Sequence, residues 1–478
     1  MKKNNPPNGW KPDWLLIAIC ATVFIILLLL PLIFGGKRED AYFTYKIMWL
    51  NYLGHHFKLP LETPKPLFAF LCGIVGHGAL YPVICGLSAG VLALLMKISQ
   101  KLGKSFWAGL VVFVLFVVGN TMVLPEFVMS AYYPMLYFFL VLAAVYSFMN
   151  QWGLATMFCL LGAGLVRPEA WLFPPVFILL TMFKKERGFS WWLFVPLLAP
   201  VMWALFDHRI SGSLTYSRDM TNYYSQTLGV MPVSFKQYWA VAGRNIVSVF
   251  NLPVHLFGLA GLAYFTVRKQ RDGHLVMAIL AILPFIFFWL LSALSPVIIQ
   301  VRFFAFPLLV CCFYAVLFLT ELSRSKWIVG VSCAALVCIG AQSDVLANTA
   351  AMVRTDKAIA GARATTLETI RKKEKVADVI LCGRSAGYYA YHLGEKASQK
   401  IFMFREAESR RNFEQEISRG MAIYIRDDVA GMDKAFSFLS RPGIYDANGF
   451  RFFPVEITRG GNGIVYAFER TTDFRGKK

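Results

Sequence analysis

Acids and bases stand in this sequence where a membrane would make them expensive. Glu39 and Asp40 follow closely on an apolar run that ends at Phe34. Glu62 and Lys65 lie in the proline-broken stretch LETPKPLF, and Glu126 falls between two apolar runs. Arg167 and Glu169 share the triplet RPE. Asp207 opens DHR at the end of another run, Arg218 and Asp219 follow in the next polar loop, and Arg302 begins a late apolar run. Ionisable groups at membrane depth are costly, so each is a functional candidate by default. Arginine suits a phosphate through its fork of donors, lysine as a point charge. A sugar held on a polyprenyl phosphate carries its own leaving group. Its transfer needs cations on the phosphate and one carboxylate to take the proton of an attacking hydroxyl. Hydrolysis of a glycosidic bond would need a pair of carboxylates at fixed separation across the bond. One base among several cations matches transfer better than hydrolysis.

Such a cluster requires elements that bring distant loops to one face. The chain has 478 residues, 57% hydrophobic and only 16% charged, with mean hydropathy +0.53. This composition excludes an ordinary soluble protein and points to an α-helical polytopic membrane protein. Barrel strands would be short and alternating, which these runs are not. Apolar spans are expected near 14–35, 79–96, 106–119, 134–149, 153–166, 170–183, 190–206, 251–267, 275–292, 303–320 and 327–343, about eleven in all. Basic clusters at Lys2, Lys3 and Lys11, at Lys97, Lys101 and Lys104, at Lys184, Lys185 and Arg187, at Arg268, Lys269 and Arg271, and at Arg324 and Lys326 fall on one side. Short basic loops stay cytoplasmic, which places the N-terminus in the cytoplasm. The net charge of +20 is therefore topology information, and no nucleic-acid partner is expected. Eight of nine cysteines sit in apolar runs without metal-like spacing, and Cys382 stands alone in the polar tail. The first apolar run ends without a small-residue cleavage site, which favours a retained helix over a cleaved signal.

This topology exports the stretch that follows the first span, the loop from 207 to about 245, the short 293–302 loop and everything after 344. The candidate charges then meet at one surface. Two domains follow: a transmembrane domain over 1–344, with interfacial helices in its first exported loop, and an exported soluble α/β domain over 345–478. In the tail, VADVILCG, KIFMF, MAIYIRDD and NGIVYAFER read as strands, while SAGYYAYHLG, EAESRRNFEQEISRG and GMDKAFSFLS read as helices. CGRSAGYY could cradle a phosphate at a helix start, but a plain tight turn is the better reading. Residues 56–75 are too broken by proline to span and read as an interfacial or half-inserted element. Adjacent His55 and His56 make a poor metal pair. Asp40, where the first helix leaves the membrane, is the candidate base, with an ordinary solvated helix cap as the alternative reading.

In this order the motifs resemble the GT-C superfamily of integral membrane glycosyltransferases, in particular the aminoarabinose transferase of lipid A and the protein O-mannosyltransferases. REDAYFTY follows the first helix as the family's acidic motif does. ETPKPLFAFLCGIVG resembles its Lys-Pro-Pro-Leu segment, through Lys65, Pro66 and Leu67. GAGLVRPEAWLFPPV, WALFDHRISGSLTYS and IIQVRFFAFPLLVC resemble three further family segments, and the likeness covers residues 10–345. The resemblance implies a polyprenyl-phosphate-linked monosaccharide donor and an inverting transfer to a hydroxyl of a lipid, glycan or protein on the exported face of a prokaryotic cytoplasmic membrane. It implies Asp40 as catalytic base with Glu39 in support, and Lys65 near the donor phosphate or the acceptor. Arg302 is a donor-phosphate candidate by its position alone, and Arg167 is a further one unless it and Glu169 simply pair with other helices. Glu62, Glu126, Glu169, Asp207, Arg218 and Asp219 would bind substrate. Many relatives carry a second acid near the position of Tyr133; here Glu126 lies several residues upstream. Metal ligands are therefore unassigned, and a divalent cation is an option rather than a requirement. The competing readings are a transporter or flippase of a lipid-linked sugar and an inactive membrane scaffold. A transporter would place its charges near the midplane and often show inverted repeats; here they gather at one face and no repeat is visible.

Overall fold

The computed structural model describes residues 13–37, 41–59, 62–183, 191–227, 233–247, 252–268, 272–294, 299–322, 325–340, 344–373, 377–382, 386–403, 421–426, 445–447, 450–460 and 463–471. Helix α1 spans Asp13–Phe34. It leaves Ile17, Leu32 and Ile33 exposed, as contact with lipid tails allows. Among its described residues only Leu27 is buried, where its carbonyl accepts the Tyr81 hydroxyl at 2.6 Å. Then come α2 (Tyr42–Tyr52), α3 (Pro66–Ile74), α4 (His77–Lys101) and α5 (Phe106–Gly119). These are followed by α6 (Pro134–Met149), α7 (Gly153–Val166), α8 (Phe173–Phe183), α9 (Ala199–Ser211), α10 (Tyr216–Thr227) and α11 (Tyr238–Val247). The helical part closes with α12 (Leu252–Arg268), α13 (Asp272–Leu294), α14 (Ala305–Leu322), α15 (Lys326–Gly340) and α16 (Asp344–Lys373).

Each of the eleven expected apolar runs is largely helical. Among the described residues five helices are long and apolar enough to cross a bilayer, or six if the bent pair Ile328–Ile339 and Asp344–Arg354 forms one span. The chain is an integral membrane protein of mostly helical architecture. Phe106–Gly119, Pro134–Met149, Gly153–Val166 and Pro168–Met182 are shorter apolar helices. The core lies between α4, α5, α6 and α14, with α12 against α14. Backbones approach closely where side chains vanish: Gly109 faces the Met96 backbone and Gly261 the Tyr314 carbonyl, the small-residue packing that membrane helices use.

Helical geometry breaks at Val123–Val128, a π-helical turn, and at the 3₁₀ turns Pro168–Leu172, Trp191–Leu198 and Val301–Phe304. Three of these turns carry Glu126, Glu169 and Arg302. Proline explains two neighbouring positions. Lys65 precedes Pro66 and Arg167 precedes Pro168, so both cations are kept out of the helical region (φ −129°, ψ 89° and φ −145°, ψ 131°), Arg167 being fully extended. Each therefore stands at a helix end instead of inside a helix.

Beyond α16 the described tail forms a six-stranded sheet. Its strands are β1 (Ala377–Cys382), β2 (Ile401–Met403), β3 (Met421–Arg426), β4 (Tyr445–Ala447), β5 (Phe450–Gly460) and β6 (Gly463–Thr471), in the order β2-β1-β3-β6-β5-β4. β1 pairs in parallel with β2 and β3, and β6 runs antiparallel to β3 and β5. α17 (Ala386–Leu393) and the short α18 (Glu395–Ser398) connect β1 to β2. Four strands and α17 coincide with the sequence reading. β4 and β5 escape it: β5 contains Pro454, which normally argues against a strand, and its register shifts between Pro454 and Glu456. The helices expected over 406–420 and 431–440 lie outside the described residues, as does part of CGRSAGYY.

Candidate functional site

Lys65 is the centre of the charged cluster. It caps α3, is buried, and carries its ammonium 5.4 Å from the ring centroids of both Tyr133 and Trp203. Two aromatic faces can stabilise a cation through their quadrupoles. Among the described residues the ammonium makes no hydrogen bond or ion pair. Burial pushes its pKa down, opposed by Tyr133 and by the nearby carboxylates Glu62 and Glu169.

Arg167 and Glu169 behave differently. They are almost wholly buried and pair with each other, Arg167 Nε to Glu169 Oε1. Arg167 Nη1 also donates to the Arg302 carbonyl at 2.8 Å. Its guanidinium lies 5.3 Å from the Tyr137 ring centroid and 5.6 Å from that of Phe303. Arg167 thus joins the α7–α8 break to the turn before α14. Arg302, held by its backbone, keeps a buried Nε with no hydrogen-bond partner among the described residues. Its electrostatic neighbours are Tyr132, Tyr133, Glu62 and Glu126. Tyr132 donates a long hydrogen bond to Glu62 Oε1 (3.5 Å). Burial, then the Glu62 charge, push the Tyr132 phenol far above its ordinary range, so it remains an O–H donor.

Asp207 is buried on α9 and accepts both the backbone N–H and the hydroxyl of Ser217, each at 2.9 Å. Ser217 lies in the first turn of α10, where free backbone donors need a partner. The same Ser217 hydroxyl accepts from Trp203 Nε1 at 2.8 Å. A chain of contacts therefore runs from Asp207 through Ser217 and Trp203 to Lys65. Asp219 is exposed and accepts from Thr215 Oγ1 at 2.9 Å; Arg218 is exposed beside it.

Glu62, Lys65, Glu126, Arg167, Glu169, Asp207 and Arg302 are thus brought into one neighbourhood, with Arg218 and Asp219 at its exposed margin. Asp40 and Glu39 lie outside the described residues, between Lys37 and Ala41. Sequence reasoning misses Tyr132, Trp203 and Ser217. Adjacent tyrosines and a helical tryptophan look like ordinary core residues, and only their placement against Lys65 or Glu62 distinguishes them. Among the described residues no group of three or more His, Cys, Asp or Glu could hold a metal ion.

No family model and no curated protein matches the sequence. Among solved structures, the chain is similar to the archaeal oligosaccharyltransferase AglB from Archaeoglobus fulgidus, in complex with an inhibitory peptide and a dolichol-phosphate. The TM-score is 0.50 at 12% identity, over 87% of this chain and 70% of that one. At that identity the likeness is one of fold.

Proposed function

We propose that the protein is a membrane glycosyltransferase that moves a monosaccharide from a polyprenyl-phosphate donor to a hydroxyl of a lipid, glycan or protein acceptor, with inversion, on the exported face of a cytoplasmic membrane. The observation that carries this reading is a pair of buried cationic groups, the Lys65 ammonium and Arg302 Nε, in one cluster at helix breaks. Arg302 Nε has no hydrogen-bond partner among the described residues, and the Lys65 ammonium meets the ring faces of Tyr133 and Trp203. A buried charge of this kind is costly unless something else satisfies it, and a lipid phosphate would do so. The shared fold with an enzyme solved with a dolichol-phosphate supports the same reading.

In the reaction, the acceptor hydroxyl attacks the anomeric carbon from the face opposite the phosphate. The new carbon–oxygen bond forms as the bond to the phosphate oxygen breaks, and polyprenyl phosphate leaves with the electron pair. Lys65 and Arg302 hold the phosphate as its charge grows. Asp40, supported by Glu39, takes the proton of the hydroxyl. Arg167, engaged by Glu169, aligns the Arg302 backbone. Glu62 and Glu126 balance the cations, and Arg218 and Asp219 lie where an acceptor would enter.

The test is transfer by purified protein from a synthetic polyprenyl-phosphate sugar. Asp40→Asn should lower turnover by about 10²–10⁴-fold while leaving the protein folded. Near-normal transfer by that variant would reject Asp40 as the base. Donor movement across vesicles without any transfer product would favour a flippase.

A further inference from the structure

The turn of chain at α18 grips the connection that leads to Lys65. The His55 Nδ1–H donates to Glu395 Oε1 at 2.6 Å, and the His56 amide to Glu395 Oε2 at 3.3 Å. The Lys58 amide donates to Ser398 Oγ at 3.0 Å, and Gln399 Nε2 to the His56 carbonyl at 2.6 Å. Four hydrogen bonds thus fasten one short loop to residues remote in sequence. Hydrogen bonds to a charged group are the stronger kind, and burial of the partners is low, so the grip depends on several contacts acting together.

The loop is in turn fixed to α2. Asn51 donates to the Phe57 carbonyl at 2.8 Å and accepts the Phe57 amide at 2.9 Å. α2 itself lies between two cores. Tyr42, Tyr45 and Met48 join the transmembrane core, while Ile47 packs with Ile370, Ile380, Tyr389 and Ile401 of the tail. Gly387 makes this approach possible: a Cβ there would stand 2.8 Å from Thr44 Oγ1. From α2 the contact passes to α3. Lys46 Nζ donates to the Gly73 carbonyl at 2.7 Å, and Trp49 packs over Gly73. Lys65 is the cap of that same α3.

We propose that the tail is a brace for the site, with Glu395 as a positioning residue that holds loop 55–58, and through α2 the head of α3, in the conformation that presents Lys65. What Lys65 presents itself to rests on the lipid-phosphate reading above; the brace does not. A helix of nine residues such as α3 is too short to hold its own shape, so its position must come from neighbours.

The experiment is hydrogen exchange on the full-length protein in detergent, without ligand, comparing wild type, Glu395→Ala and Gly387→Val. Glu395→Ala removes the carboxylate from an exposed turn. Gly387→Val wedges the tail off α2 by an independent route. Both should speed exchange about tenfold over peptides covering 51–58 and 62–70, with α14 unchanged. In parallel, undecaprenyl phosphate should bind the variants about tenfold more weakly than wild type, and Glu395→Gln, which keeps an acceptor, should recover part of both effects. Unchanged exchange over 62–70 in both variants would overturn the brace. Faster exchange over 62–70 with unaltered probe affinity would overturn Glu395 as a positioning residue. Failure of wild type to bind the probe would count against the lipid-phosphate reading alone, since exchange decides the brace without it.

Discussion

Lys65 and Arg167 form an instructive contrast. Both are buried cations, both precede a proline, and both stand at helix ends on non-helical backbone. Arg167 is satisfied by Glu169 and the Arg302 carbonyl. Lys65 has two aromatic faces and no hydrogen bond among the described residues. Burial alone therefore does not mark a binding group. A buried cation whose donors are occupied supports the frame, and one whose donors are free is the group that the proposed lipid phosphate would engage.

The largest expected effect tests the occupied side. Arg167→Ala leaves Glu169 buried and uncompensated, and should cost about 3–5 kcal/mol of stability, read as a marked loss of thermal stability in detergent. A negligible change would show that Arg167 is not structural. Lys65→Met should do the reverse. Removing an unpaired buried charge should change stability by less than about 1 kcal/mol, while affinity for a polyprenyl phosphate should fall about 30- to 100-fold, since charge-assisted hydrogen bonds contribute about 2–3 kcal/mol. If Lys65→Met unfolded the protein without weakening binding, the contrast would be inverted.

Helices are legible in the sequence where punctuation is local. The 134–149 and 153–166 spans match α6 and α7 because Pro134 and Gly153 mark their starts. The Lys65–Pro66 and Arg167–Pro168 pairs are visible as helix boundaries for the same reason. Periodicity does not show which partner each cation meets. Nothing near Asp207 in sequence announces that it holds Ser217 and, through it, Trp203. The grip of Glu395 on His55 spans 340 positions, beyond any local pattern. α16 escapes the sequence reading because its thirty residues mix charge with alanine and lack a strong apolar stripe.

A smaller effect sharpens the Trp203 side. Asp207→Asn keeps one acceptor for Ser217 and should weaken probe binding about three- to tenfold, as expected for partial loss of a buried hydrogen-bond pair; unchanged binding would detach Trp203 from the site. The smallest effect is in pH. Because burial lowers the Lys65 pKa, the free protein loses this charge below the ordinary lysine range as pH rises. kcat/KM for the donor should then fall on an alkaline limb set by Lys65, and Lys65→Arg should move that limb upward, because arginine stays protonated. A limb unmoved by Lys65→Arg would assign it to another group.

The most direct measurement uses a polyprenyl phosphate bearing a diazirine next to the phosphate, irradiated with the full-length protein in detergent and mapped by peptide mass spectrometry. Labelling of the peptides that contain Lys65 and Arg302, competed by unlabelled polyprenyl phosphate, is the predicted result. Labelling confined to the separate cavity of about 860 Å³ lined by Lys104, Trp107 and Cys333, with those peptides untouched, would contradict it.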